Sequence, residues 1–543
     1  MRGVMRLLLI FMAVGLAAVW LAGPRAPLVQ AFPADDELDL KLVPRQSCGV
    51  NGCHGNPAAQ TGIDVFGGIQ TCRGNEATLA KTENDPHLRA TQALLTTTSA
   101  NILEAIGQDQ FGKCLACHAT DLENNAFRRF PERRKLESST QKQLFVDEGV
   151  GCTACHNAKD ASGKPIDVWI DDHCSRRPGR TEKWRNLPAS EKAALGLKDL
   201  GNATERASQC VSCHVGNLAE GKFITHDMYA AGHPPLPSFE VATFTAALPP
   251  HWESLTEKQT RLAKWIDEKK LPVSLRDRIG PDSRPQFEQS RLAIVGSLVA
   301  YRTYLQSLME ATKEPGRPLD YAHFDCYACH HELKTKSWRQ ERGYDNRSPG
   351  RPAMREWPRP LAEVIFKARI PQQTTSPEAE LILQYQTSEM AEGLRRAFTI
   401  KPFGDTAQIA VAARKLDPYL EYCGKQFEKP IAQLDNSDLN SMLVSMSQSA
   451  AQGYHDFGAA RQIAWTIRVL ASERLPHDAK TPQIDSAFTR LTPMLALSLQ
   501  RSPGAQAQSS AWAERRAYDP DRFKAEMRRL NLILTGSRGD AQP

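Results

Sequence analysis

Aromatic residues make up only 7% of the 543 positions, and hydrophobic residues as a whole 41%. A chain this long has room for two or three domains, yet large side chains are scarce for cores of that size. Something other than side chains is expected to fill part of the interior. Thirteen cysteines are too few for a disulfide scaffold of this length. Past residue 31 no stretch is apolar enough to cross a bilayer. The net charge of +6 is not gathered into a basic run, and no RNA-binding signature occurs, so nucleic acid is not expected as a partner.

The N-terminus does carry a directed signal. Arg2 and Arg6 precede an apolar run from Leu7 to Gly23, and Val29-Gln30-Ala31 offers a small-residue cleavage site before Phe32. Residues 1–31 are therefore expected to be a signal peptide, with a retained N-terminal anchor and membrane association as the alternative. Either way the remainder works as a periplasmic or otherwise exported protein. Removing Arg2, Arg6 and Arg25 with that segment leaves a net charge of +3.

The cysteines fall into a repeated form. CLACH holds Cys114, Cys117 and His118; CTACH holds Cys152, Cys155 and His156. CVSCH holds Cys210, Cys213 and His214; CYACH holds Cys326, Cys329 and His330. Chance would supply about 0.01 such pentapeptides in a chain of this composition. C-x-x-C-H is the attachment sequence of c-type haem: two thiols bond the vinyl groups along one porphyrin edge, and the next imidazole reaches the iron as proximal ligand. A fifth stretch, CGVNGCHG, separates Cys48 from Cys53 by four residues before His54. Gly49 and Gly52 give the two extra residues the freedom to loop out. Five c-type haems with their iron are expected. Zinc is the alternative for paired cysteines, but zinc has no need of a histidine after every second one. Of the three remaining cysteines, Cys72 and Cys174 suit a disulfide or buried thiols, and Cys423 has no evident partner.

Five of the fourteen histidines are then proximal. Seven of the other nine, His87, His173, His226, His233, His251, His323 and His331, lie before residue 340 among the attachment sites. A second axial imidazole on each iron accounts for that clustering. The distal candidates are His87, His173, His226, His233 and His331. In THDMYAAGHPPL, a helix would put His226 and His233 on one side about 10.5 Å apart, so they would serve two neighbouring irons. His87 follows Asp85 and Pro86, a capping residue and a first-turn proline. His331 cannot oppose its own neighbour His330 and would turn to another haem. His323 competes for that place, and His251 reads as a propionate or packing contact.

The order of these features resembles the cytochrome c-554 family of exported multihaem proteins, over about residues 45–240. A first site is followed by a lone helix histidine (His87), a second site, a Gly-Val-Gly-Cys third site with a downstream Asp-His (GVGCTACH and DDH, ending at His173) and a fourth site. The resemblance implies that His87 ligates the iron of His156 and His173 that of His54. It also implies one five-coordinate haem, at the second site with His118. The chain departs from it in the C-x4-C-H spacing, the fifth site and a long extension.

The fold class expected is mainly α, a loop-rich multihaem cytochrome c core followed by an α-helical C-terminal domain. Residues 32–335 form the pentahaem cytochrome c domain, with helices at 257–270 and 285–313 and no alternating strand pattern up to residue 250. Residues 336–360 read as a linker and 361–543 as a helical domain, with segments at 376–399, 405–423, 437–452, 455–473, 484–500 and 520–534. That domain suits a docking surface or a structural cap.

The expected function is electron transfer between redox partners, either other redox proteins or quinol-oxidising complexes. With about −1 per ferric and −2 per ferrous bis-histidine haem, the mature charge would run from about −2 oxidised to about −7 reduced. The alternative is a haem enzyme acting on a small nitrogen or sulfur compound at a five-coordinate iron. No C-x-x-C-K site, the proximal signature of pentahaem nitrite reductases, occurs.

Overall fold

The structure, a computed structural model, describes Cys48, the strands at 60–63 and 69–72, and most of residues 85–536. The larger gaps fall at 121–129, 159–165, 171–183, 271–286, 331–349, 368–376, 429–433, 475–479 and 500–512. The expected signal segment, Cys53, His54, His173, Cys174 and His331 lie outside the described residues. Residues 42–543 make one compact unit.

The described chain is mainly helical, as its composition and periodicity predict. One element departs from expectation. Strands β1 (Gln60–Ile63) and β2 (Ile69–Cys72) pair antiparallel, Gln60 opposite Cys72 and Ile63 opposite Ile69. At four residues each they are too short for alternation to register as a pattern.

In the first half, helices are short and separated by the attachment sites: α1 (Thr97–Ile106), α2 (Phe111–His118), α3 (Lys142–Glu148), α4 (Ala203–Val211) and α5 (Val241–Ala247). Then come α6 (Leu255–Glu268) and α7 (Glu288–Ala311). The second half is a helical array: α8 (Arg359–Lys367), α9 (Pro377–Thr399), α10 (Thr406–Glu428), α11 (Asn436–Gln452), α12 (Phe457–Glu473), α13 (Thr481–Leu495) and α14 (Pro520–Thr535). The last six, α9 to α14, follow the six expected segments to within about five residues, and α8 was not among them. The larger departures are α10, which runs on to Glu428, and α13, which ends at Leu495 where Ala496 turns left-handed (φ 47°).

Helix α7 decides the architecture. Its periodicity predicts one broad apolar face through Leu292, Val295, Leu298, Val299, Leu305 and Leu308. All six are buried, but so are Ser290, Ser297, Tyr301, Thr303, Tyr304 and Ser307 on the remaining sides. A helix buried all round lies at the centre of its domain. Helices α4 and α5 pack on it from the first half, and α8, α10 and α12 from the second. One continuous apolar core runs from Ala207 on α4 to Leu534 on α14.

Carboxylates of the second half cap helices of the first. Glu428 of α10 accepts from the backbone N–H of Thr204 at 2.9 Å. Glu473 of α12 accepts from those of Gln289 and Ser290, at 2.9 and 2.7 Å, at the start of α7. Each satisfies N–H groups that a helix start leaves unpaired and places negative charge at the positive dipole end. Arg302 of α7 adds ion pairs to Asp417 and Glu421 of α10 at 3.1 and 3.0 Å. The described end of the expected linker is packed rather than free: Met354 and Trp357 are buried in the same core. Its Pro/Gly-rich composition reflects irregular backbone, not absence of contacts.

His455 lies deep between α11 and α14, its ring against Phe523. Burial pushes its pKa down to about 4, whereas an unfolded histidine titrates near 6.5. Between those values the unfolded chain binds the proton and the folded chain does not. Stability is therefore lost as pH falls from about 6.5 to about 4, by up to about 3 kcal/mol from this residue. His455→Leu should lose less stability than the parent between pH 7 and 4.5, compared by urea unfolding midpoints; equal losses would refute the assignment.

Candidate axial histidine pairs

Each described attachment sequence folds as a tight helical turn. CLACH closes α2, CTACH forms its own turn over Cys152–His156, and CYACH opens with a 3-10 turn at Cys326–Ala328. CVSCH runs off the end of α4 into a π-turn, Ser212–Gly216. In such turns thiols three residues apart share a face, and the following histidine lies next to them.

The histidines meet in twos. The ring centroids of His87 and His214 are 6.2 Å apart and those of His118 and His233 6.5 Å. His156 and His251 are separated by 6.4 Å, and His226 and His330 by 6.1 Å. Every pair joins one histidine that follows a C-x-x-C to one that does not. These distances are too long for ring stacking. An iron held by two imidazoles at about 2 Å, with about 1.1 Å from nitrogen to ring centre, spaces the centroids about 6.3 Å apart. The residues fit a bis-imidazole haem iron in four places.

The other ring nitrogens are fixed in the way a metal-binding imidazole needs. His118 Nδ1 lies 3.0 Å from the Ala90 carbonyl, His233 Nδ1 2.7 Å from that of Pro234, and His251 Nδ1 3.1 Å from that of Pro249. His87 Nδ1 lies 2.9 Å from the Asp85 carboxylate. Carbonyls and carboxylates only accept, so each Nδ1 carries the hydrogen and donates it. Nε2 is left with a free lone pair for a metal. Burial pushes the pKa of His214 down to about 3 and of His233 to about 4, and lowers that of His118. A neutral ring is the one that ligates.

Zinc does not suit this arrangement. Among the described residues, no three His, Cys, Asp or Glu side chains converge as a metal cluster.

Local chemistry explains each placement. Asp85 caps the turn Pro86–Arg89, accepting from the His87 backbone N–H at 3.0 Å as well as from its ring. Gly149 of the Gly-Val-Gly-Cys motif presses on that turn. It has φ 55°, and a Cβ there would lie 2.6 Å from the His87 and Leu88 carbonyl oxygens. Only glycine meets both conditions, and the next residue, Val150, donates to the His87 carbonyl at 2.9 Å. His226 starts a helix that ends at Ala230, not at His233. Gly232 takes φ 107°, and the N–H of His233 bonds back to Met228 at 2.9 Å. This Schellman turn aims His233 at His118, while His226 faces His330.

Four expectations are corrected. His87 opposes His214 rather than His156, and His251, expected as a packing or propionate contact, opposes His156. The second site, which the family resemblance implied to be open, has His233, one of the distal candidates, across from His118. His323 opposes no attachment histidine among the described residues; it is buried and stacks on Phe223 at 4.8 Å. The legible signal for His251 was its neighbours. PPH mirrors the HPP of His233, and in both a proline carbonyl takes the Nδ1 hydrogen.

The pairs adjoin one another. The Cys117 thiol hydrogen-bonds that of Cys213, which raises the Cys117 pKa, and Cys155 interacts electrostatically with Cys210 and Cys213. The second, third and fourth sites therefore cluster, and the His226–His233 segment ties the fifth to the second.

Residues 70–157 match the family model described as cytochrome c554 and c-prime. The matched stretch holds His87, CLACH and CTACH, and ends before CVSCH and CYACH. It supports a c-type cytochrome carrying covalently bound haem iron, a class of electron carriers. No curated protein and no solved structure matches the chain. No helix among the described residues is long and apolar enough to cross a membrane.

His251→Ala should convert one low-spin iron to high-spin while leaving the covalent haem content unchanged; an unaltered paramagnetic resonance spectrum would refute the pairing with His156. Gly149→Ala should perturb the iron between His87 and His214 through the backbone clash, read as loss of that low-spin signal.

Proposed function

We propose that the protein is an exported, periplasmic five-haem cytochrome that passes electrons between redox partners. The observation that carries this reading is the set of four imidazole pairs at 6.1–6.5 Å, each with one attachment histidine. Bound haem supplies a reversible one-electron change at iron. The protein's residues do the rest. The paired imidazoles would hold the iron from both sides, keep water and substrate from it, and change little in arrangement between oxidation states. The porphyrins also supply the core volume that the aromatic-poor sequence lacks.

Cys48 and Cys53 attach the remaining haem, that of the first site, with His54 as proximal ligand and His173 as its distal partner. His173 is the downstream Asp-His histidine that the family resemblance assigns there. Shared segments order the route: the His330 site adjoins the His118 site through residues 226–233, the thiols of Cys117 and Cys213 join that to the His214 site, and Cys155 and Cys210 join the His214 and His156 sites. Partners are other redox proteins or quinol-oxidising complexes. Docking by residues 361–543 uses their outer faces, because the inner faces belong to the core shared with α7.

The mass of the mature protein should equal the polypeptide after residue 31 plus five haems. The oxidised spectrum should be low-spin throughout, in two classes. Three described pairs have ring planes near perpendicular, at 85°, 78° and 77°; His226 and His330 lie at 29°. Perpendicular planes leave two iron d orbitals close in energy and give strongly anisotropic signals, whereas nearer-parallel planes split them and give a rhombic one. A high-spin signal that shifts on adding nitrite or hydroxylamine would favour an enzyme instead, and a colourless protein of unmodified mass would refute the proposal.

A further inference from the structure

The known Nδ1 partners of the paired histidines are not alike. His118, His233 and His251 donate to neutral carbonyl oxygens, of Ala90, Pro234 and Pro249. His87 donates to a carboxylate, Asp85 Oδ1, at 2.9 Å. The Asp85 side chain is 14% exposed, so solvent screens it little. The same oxygen accepts from the His87 backbone N–H at 3.0 Å, which fixes the carboxylate to the ring it serves. Pro86 between them restricts the backbone of this turn.

A carboxylate acceptor draws the Nδ1 hydrogen further than a carbonyl does and gives the imidazole partial anionic character. The opposite nitrogen becomes the stronger donor. Ferric iron, carrying one more positive charge than ferrous, gains more from that donor and from a negative charge close by at low dielectric. Second-shell hydrogen bonding to an axial ligand is one of the means by which a protein sets a haem potential.

We infer that Asp85 acts through His87 as a tuning residue, holding the iron between His87 and His214 at a lower reduction potential than a carbonyl partner would. This inference rests on the haem reading above. The iron so tuned lies between the His118 and His156 sites, within the route rather than at its end.

Asp85→Asn tests this directly. Asparagine is as good a helix cap as aspartate, keeps the side-chain oxygen as acceptor, and removes only the charge. The variant should keep the low-spin signal of the His87–His214 iron, identified as the one that His87→Ala turns high-spin. In a potentiometric titration followed by that signal, its midpoint should rise, with smaller or no movement at the other irons. An unmoved midpoint overturns the inference, as does an equal rise at all irons. Conversion to high spin in Asp85→Asn also overturns it, because Asp85 would then hold the ring in place rather than tune it. A preparation without covalent haem would instead refute the underlying reading, and the mass spectrum separates that case.

Discussion

The arrangement depends on a division of labour within each imidazole ring. One nitrogen is tied to a protein acceptor, which leaves the other with a lone pair free for a metal. Ala90, Pro234, Pro249 and Asp85 supply those acceptors, three of them from backbone whose course is set by a proline or a helical turn. A ring without such an anchor would choose between tautomers and orientations. With it, two histidines far apart in sequence arrive with their rings about one metal atom apart.

Helix α7 and the second-half helices give this cluster a rigid support. An interior built around porphyrins is loop-rich and short of side-chain contacts, which agrees with helices of five to ten residues between the attachment sites. The second half compensates with long helices whose apolar faces close on α7. Its carboxylates at Glu428 and Glu473 also cap helices that lead into the haem region. Helix α4, capped by Glu428, ends in CVSCH, so support from the helical array reaches an attachment site through a single element.

Much of the chemistry was readable in the linear chain. The C-x-x-C-H spacing is a local requirement, since two thioethers and one imidazole must reach one porphyrin edge, and local requirements leave local patterns. The same holds for the helices of the second half, whose apolar periodicity placed their boundaries within a few residues. Asp85-Pro86 announced the turn that carries His87. The four-residue strands and the packed end of the 336–360 stretch were not legible, because short pairing and irregular burial leave no periodic trace.

Pairing belonged to the tertiary structure alone. That His87 meets His214, or that His251 meets His156, depends on contacts 95 to 127 positions apart in sequence, and no spacing rule links such residues. Gly149 and Gly232 show how small the deciding features are: one allows the His87 turn to approach, the other turns His233 out of line with His226. The sequence by itself determined that paired thiols and following imidazoles would hold iron, because covalent attachment is short-range. Which imidazole lies across from each attachment histidine was settled by packing, since that approach requires nearness in space and not in sequence.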